Sequence, residues 1–297
     1  KRRGSEINLP KFKELGIEFI HGDIRDQSDL MSIGKEFDVF IEASAEPSIH
    51  AGVNEDPSYL INTNLMGTVN CLNFARKFCK KMIFLSTSRV YSIPEMVNIP
   101  LKETESRLVV DLEKSLPKGV TEKGISESFS VEKFRSLYGS TKLCSELIIQ
   151  EYCHSFNMDI IINRCGVIAG AGQFGKVDQG VFTLWVANHY FNKSLKYTGF
   201  GGTGKQVRDL LHPKDLYNGL NLQINSTTSL SGQIFNLGGG NNVSTSLLEL
   251  TKICQEITDN KINIDCIPET NPLDIPLYVT DYSRAESVLG WKPEISV

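Results

Sequence analysis

Two apolar runs, Lys81-Met82-Ile83-Phe84-Leu85-Ser86 and Asp159-Ile160-Ile161-Ile162-Asn163-Arg164, constrain the fold most, because each follows a long stretch with helical spacing. A strand apolar at successive positions has no polar face to give to water. It must be covered on both sides, which parallel sheets with crossover helices achieve. The helical stretches are Tyr59 to Lys80 and Leu137 to Phe156. The same alternation extends outward: Gly16 to Ile24 reads as a strand ending in a turn, Gln27 to Glu36 as a helix, Asp38 to Ala43 as a strand, and Val181 to Phe191 as a helix. The spacing therefore predicts an α/β chain with a doubly wound parallel sheet. Past residue 168 the pattern changes to short strands at Leu195 to Tyr197 and Gln233 to Leu237, glycine clusters, and a helix from Ser246 to Thr258. A smaller substrate-side lobe is expected over 169–297, with segments returning to the first part, 1–168.

Composition removes several function classes. The chain has 297 residues, 40% of them apolar, enough for a full core. A net charge of -4 argues against a nucleic-acid partner, whose phosphates call for clustered Lys and Arg. No apolar run approaches the ~20 residues that span a bilayer, and Lys1-Arg2-Arg3-Gly4-Ser5-Glu6 lacks the apolar core of a signal peptide, so no membrane partner and a cytoplasmic location are expected. Cys71, Cys79, Cys144, Cys153, Cys165, Cys254 and Cys266 are odd in number and hold no Cys-x-x-Cys pair, which suggests neither a disulfide framework nor a metal site.

The second helical stretch opens with Leu137-Tyr138-Gly139-Ser140-Thr141-Lys142. On a helix, residues four apart share a face about 6 Å apart along the axis, so the Tyr138 phenol and the Lys142 ammonium can share a pocket. A phenol loses its proton near pH ~10, and a neighbouring cation favours the phenolate, which suits base chemistry. Tyr and Lys four apart also meet on helices by chance. Gly170-Ala171-Gly172-Gln173-Phe174-Gly175 fits the literal G-x-G-x-x-G dinucleotide pattern, yet no acidic residue closes the next strand, Leu195 to Phe200, to hold a ribose. Gly199-Phe200-Gly201-Gly202-Thr203-Gly204 has the same spacing but leads into an extended stretch, Lys205 to Leu211, so a turn is the simpler reading.

With Phe84-Leu85-Ser86-Thr87-Ser88-Arg89-Val90-Tyr91 upstream of Tyr138-x-x-x-Lys142, the chain resembles the extended short-chain dehydrogenase/reductases, the NAD-dependent nucleotide-sugar epimerase/dehydratase family. Gly22-Asp23-Ile24-Arg25-Asp26 resembles its adenine-side turn, Ala43-Ser44-Ala45 its fourth-strand end, and Asn64-x-x-Gly67-Thr68 its cofactor-side helix motif. Tyr138-Gly139-Ser140-Thr141-Lys142, Val177-Asp178-Gln179-Gly180 and Gln206-Val207-Arg208-Asp209-Leu210-Leu211-His212 look most like the CDP-paratose (CDP-tyvelose) 2-epimerase branch.

That resemblance implies a Rossmann-like fold, NAD as cofactor, a nucleotide-diphosphate sugar as substrate with a CDP-sugar favoured, and a homo-oligomer. It implies catalytic roles for Thr87, Tyr138 and Lys142, and cofactor contacts from Asp23, Ile24, Ala43, Ser44, Ala45, Asn64, Tyr138, Lys142 and Cys165. It assigns Thr87, Gln173, Gln179, Gln206 and Arg208 to the substrate. Read from their own chemistry, Thr87 can orient a hydroxyl or cap a turn, Arg208 can fork onto phosphate or pair with Asp209, and Asn64 can brace backbone anywhere in a helix.

The chain departs from the family's pattern in two places. Pro276 stands in Leu273-Asp274-Ile275-Pro276-Leu277-Tyr278 where the family commonly has a phosphate-binding Arg. No Gly-x-x-Gly-x-x-Gly stretch occurs, so the expectation is an incomplete NAD-binding unit, a fragment lacking its first two strands. In the family's strand order those two would separate Phe19–Gly22 from Asp38–Ala43, leaving both without a neighbour. Two alternatives stay open: a 4,6-dehydratase, against which Ser88-Arg89 replaces an Asp-Glu pair after Thr87, and a non-catalytic binding protein.

Overall fold

The computed structural model describes residues 5–173 and 180–297. The central sheet is parallel, built from β1 (Phe37–Glu42), β2 (Cys79–Thr87), β3 (Asp159–Cys165) and β6 (Ile234–Leu237) in the order β1-β2-β3-β6. Between its strands run α1 (Gly67–Phe78) and α2 (Leu137–Phe156). Alternation along β2 and β3 explains the continuous apolar runs. Met82, Phe84, Ile160 and Ile162 face Cys71, Leu72, Ala75 and Ile149 of the two helices. Ile83 and Ile161 face the opposite core with Leu211, Phe235, Leu237 and Trp291. Each fully buried Ile or Phe there is worth roughly 1.5–3 kcal/mol.

A second sheet carries β5 (Val207–Leu211), which pairs with Ser244–Ser246 on one side and Leu277–Tyr278 on the other. The end of β5 also pairs with Val167–Ile168, just past β3, which ties the two sheets together. β4 (Leu195–Thr198) pairs in parallel with Ile264–Ile267. The doubly wound α/β reading is thus the fold observed.

Boundaries differ where local geometry intervenes. The helix expected over Gln27–Glu36 stops at Ser32, and Gly34 turns the chain with φ 58. The Tyr59–Lys80 helix is interrupted by a π turn at Asn62–Met66, and Lys80 already belongs to β2. The strand expected at Gly16–Ile24 does not form. β1 bonds only to β2 among the described residues, so this segment has no ladder to join, and Ile17, Phe19 and Ile20 are about half exposed. Sequence periodicity missed the helices Pro213–Ile224 and Ser283–Leu289 and the hairpins between residues 101 and 125. At Gly199–Gly204 the backbone does turn, with positive φ at all four glycines, and a Cβ on Gly202 would strike the Cys266 sulfur.

Candidate active site

The site lies at the carboxyl ends of β1, β2 and β3, which register brings level: Glu42 opposes Phe84, and Thr87 opposes Cys165. Such strand ends are where open α/β sheets hold ligands. α2 enters this crevice with its first turn. Ser136 caps it by accepting from the Gly139 amide at 3.1 Å, and Asn157 ends it in left-handed conformation, so Tyr138 and Lys142 sit on its first two turns.

Thr87, Tyr138 and Lys142 converge and are all buried. The Lys142 ammonium stands 3.8 Å over the Phe84 ring and 4.0 Å from the Glu42 carboxylate. It makes no hydrogen bond among the described residues, so its donors are available. Burial pulls its pKa down, against the opposing charges of Glu42 and Glu146. Burial likewise pushes the Tyr138 phenol up to about 12. The Thr87 hydroxyl and the Arg89 guanidinium act in the other direction. Desolvation thus outweighs neighbouring charge in this state, which reverses the acidic phenol expected from the Tyr-Lys spacing.

Asn64, placed by the π turn, clamps the loop after β1: its Oδ1 accepts from the Glu46 amide at 2.8 Å and its Nδ2 donates to the Glu46 carbonyl at 3.0 Å. The same Nδ2 reaches Thr141 on α2 at 3.2 Å. Ala43, Ser44 and Ala45 occupy the loop so held, and Ser44 donates its amide to Glu42 at 2.9 Å. Cys165 closes the floor with a thiol that burial raises to about 12, an inert group. Ile24 packs on Gly67, leaving no room for a Cβ there.

The other candidates are engaged with partners of their own. Both Asp23 oxygens are engaged by Arg25, which holds this exposed carboxylate at about 2. Gln173 spends its amide on the Ile168 carbonyl and its oxygen on Thr183. Gln206 donates to the Thr198 carbonyl at 3.2 Å. Gln179, with residues 174–179 including part of the first glycine match, lies outside the described residues. Arg208 does not pair with Asp209, whose carboxylate accepts from the Gly240 and Thr280 amides. Its guanidinium donates to backbone carbonyls at Val207 and Ile275.

Sequence reading missed two features. Glu42, a buried acid at the end of β1, faces Lys142; a carboxylate ending an apolar strand was the available signal. Beneath the site Arg164 grips Glu146, with Nη2 2.7 Å from Oε2, and Glu146 also accepts from Ser86 at 2.5 Å. Their separation in sequence left no local signature.

Lys142 with unspent donors, beside a loop fixed by Asn64, fits the ribose end of a dinucleotide. The first 238 residues match the model of the NAD dependent epimerase/dehydratase family. The chain belongs to that family, and so to its NAD-dependent enzymes. It is 27% identical to CDP-paratose 2-epimerase of Salmonella typhi, over 99% of this chain and 86% of that protein. It is 26% identical to UDP-glucuronate 4-epimerase of Thermodesulfobacterium geofontis, over 96% and 77%. The fold matches UDP-glucose 4-epimerase of Thermus thermophilus, solved with NAD, with TM-score 0.76 at 20% identity, covering 100% of this chain and 85% of that one. No helix among the described residues is long and apolar enough to cross a membrane.

Proposed function

We propose that this protein epimerises a nucleotide-diphosphate sugar, of the CDP-paratose/CDP-tyvelose 2-epimerase type, with Tyr138 as base. The observation that carries the reading is the convergence of Thr87, Tyr138 and Lys142 at buried strand ends. Thr87 orients the reacting sugar hydroxyl, and the Tyr138 phenolate takes its proton. Lys142 donates to the cofactor ribose and adds a positive charge near the phenolate. NAD held by Lys142 and the Ala43–Ala45 loop would supply the hydride acceptance and return at the sugar carbon. The buried walls, Phe84 and Cys165 among them, keep water from the ketone that forms between these events. Arg208 takes the substrate's phosphates. Cys165 and the Ala43–Ala45 loop line the cofactor side, Asp23 and Ile24 its adenine end, and Gln173, Gln179 and Gln206 the substrate side. The catalytic unit is a homo-oligomer in the cytoplasm, a compartment with which seven free cysteines agree.

Epimerisation is preferred over dehydration because Ser88-Arg89 follows Thr87, with no acid there to protonate a leaving hydroxyl. Tyr138→Phe tests the assignment. Turnover of CDP-paratose should fall by about a thousandfold while its affinity by calorimetry changes less than about threefold, because the lost proton transfer belongs to the transition state. Unchanged turnover would remove Tyr138 from the mechanism.

A further inference from the structure

Arg89 lies in the tight turn Ser88–Val90 that follows Thr87. A Cβ on Gly139 would come within 2.1 Å of the Arg89 carbonyl oxygen, so glycine is what lets this turn seat against α2. The turn delivers the partly buried Arg89 guanidinium close enough to the Tyr138 phenol to favour its ionised form. There Nη1 donates at 3.4 Å to the Leu273 carbonyl, the one side-chain hydrogen bond Arg89 makes among the described residues. Arg208 reaches the same segment from β5, its Nη2 donating at 2.6 Å to the Ile275 carbonyl. The two anchors are two residues apart, so at most ~7 Å of chain separates them.

Each of these arginines experiences burial and the Asp274 carboxylate, and Arg208 also experiences the repulsion of Arg89. Asp209 also attracts Arg208, although its Oδ2 accepts from the Gly240 and Thr280 amides. Neither guanidinium forms a salt bridge among the described residues, and their bonds go to carbonyls, which leaves several forked donors, the complement of a phosphate dianion. Asp274, between the two anchors, also stands on the wall of a groove of about 390 Å³ to which Ile93, Phe134, Phe200 and Pro272 give apolar sides. A nucleobase fits that chemistry.

Resting on the nucleotide-sugar reading, we propose that Arg89 is a substrate-specificity residue: together with Arg208 it clamps the substrate diphosphate. Arg89, beside Tyr138, takes the phosphate attached to the sugar, and Arg208 takes the phosphate attached to the nucleoside. Calorimetry with CDP, CMP, UDP and UMP as probes tests this. Arg89→Met should weaken CDP and UDP roughly 10- to 100-fold and CMP and UMP less than about threefold, since the monophosphates lack the group Arg89 holds. Arg89→Lys, which keeps the charge and loses the fork, should fall between, and it carries the test if the methionine variant melts early. Diphosphate affinity unchanged in both variants, or an equal loss for mono- and diphosphates, overturns the clamp and leaves the nucleotide-sugar reading in place. Wild-type protein that binds none of the four probes overturns both.

Discussion

Arg164, buried, and the pair Arg89–Arg208, partly buried, are guanidiniums drawn from water within one molecule, and they are treated in opposite ways. Arg164 is held by both oxygens of Glu146, lies over the Tyr91 ring with Cζ 5.0 Å from its centroid, and belongs to a closed network. In that network Tyr91 donates to Asn236 at 2.7 Å, and Asn236 donates to the Ile125 carbonyl at 2.9 Å. Burial opposes its charge, and Glu146 more than offsets that, so its pKa rises. Arg89 and Arg208 meet mostly carbonyls, and burial pulls both pKa values down, Arg208 to about 10. The difference separates a guanidinium whose charge is matched within the fold from two that meet carbonyls and keep forked donors unspent.

Substitution should expose this contrast. The largest effect belongs to Arg164→Met, which leaves Glu146 as an uncompensated buried charge and should lower stability by about 3–5 kcal/mol in denaturant melts. Next comes Glu249, partly buried, which caps the Leu247–Thr258 helix through a capping box with Ser246 and pairs with Arg107. Burial opposes its charge, but the Arg107 and Ser106 contacts prevail and hold it at about 2, below its ordinary 4.5. A depressed folded pKa gives stability that is present above the ordinary value and lost as pH falls from about 4.5 through 2, here at most about 2–3 kcal/mol. Glu249→Gln should remove that part of the acid sensitivity. The smallest effect, of opposite sign, is at Arg89→Met, where relief of like-charge repulsion and desolvation should leave stability unchanged or raise it by up to about 1 kcal/mol. A loss of several kcal/mol there, equal to that at Arg164, would erase the distinction.

How much of this was legible in the sequence follows from the range of the interactions. α2 was readable from end to end because its helical spacing runs unbroken from Leu137 to Phe156, and the fold ends it at those same residues, with Ser136 as cap and Asn157 in left-handed conformation. β2 and β3 were readable because burial on both faces leaves continuous apolar runs. Gly16–Ile24 misled because a strand depends on a partner that the segment itself cannot encode. Tyr138 and Lys142 were singled out by spacing and Thr87 by its place at a strand end, and the fold buries all three. Arg164–Glu146 and Lys142–Glu42 pair residues far apart in sequence, so only the folded sheet reveals them. Arg89 was visible as the residue that made a dehydratase improbable, but its meeting with Arg208 depends on packing across two sheets.

In the proposed epimerisation Tyr138 serves a reaction in which hydrogen leaves a sugar carbon and returns to it without passing through water. Turnover of CDP-paratose in heavy water with NAD present, followed by mass spectrometry and NMR of the product, tests it directly. The expected product is an epimer of unchanged mass with no deuterium bound to carbon. One deuterium per product molecule on a sugar carbon, or loss of a hydroxyl from the product, would contradict it.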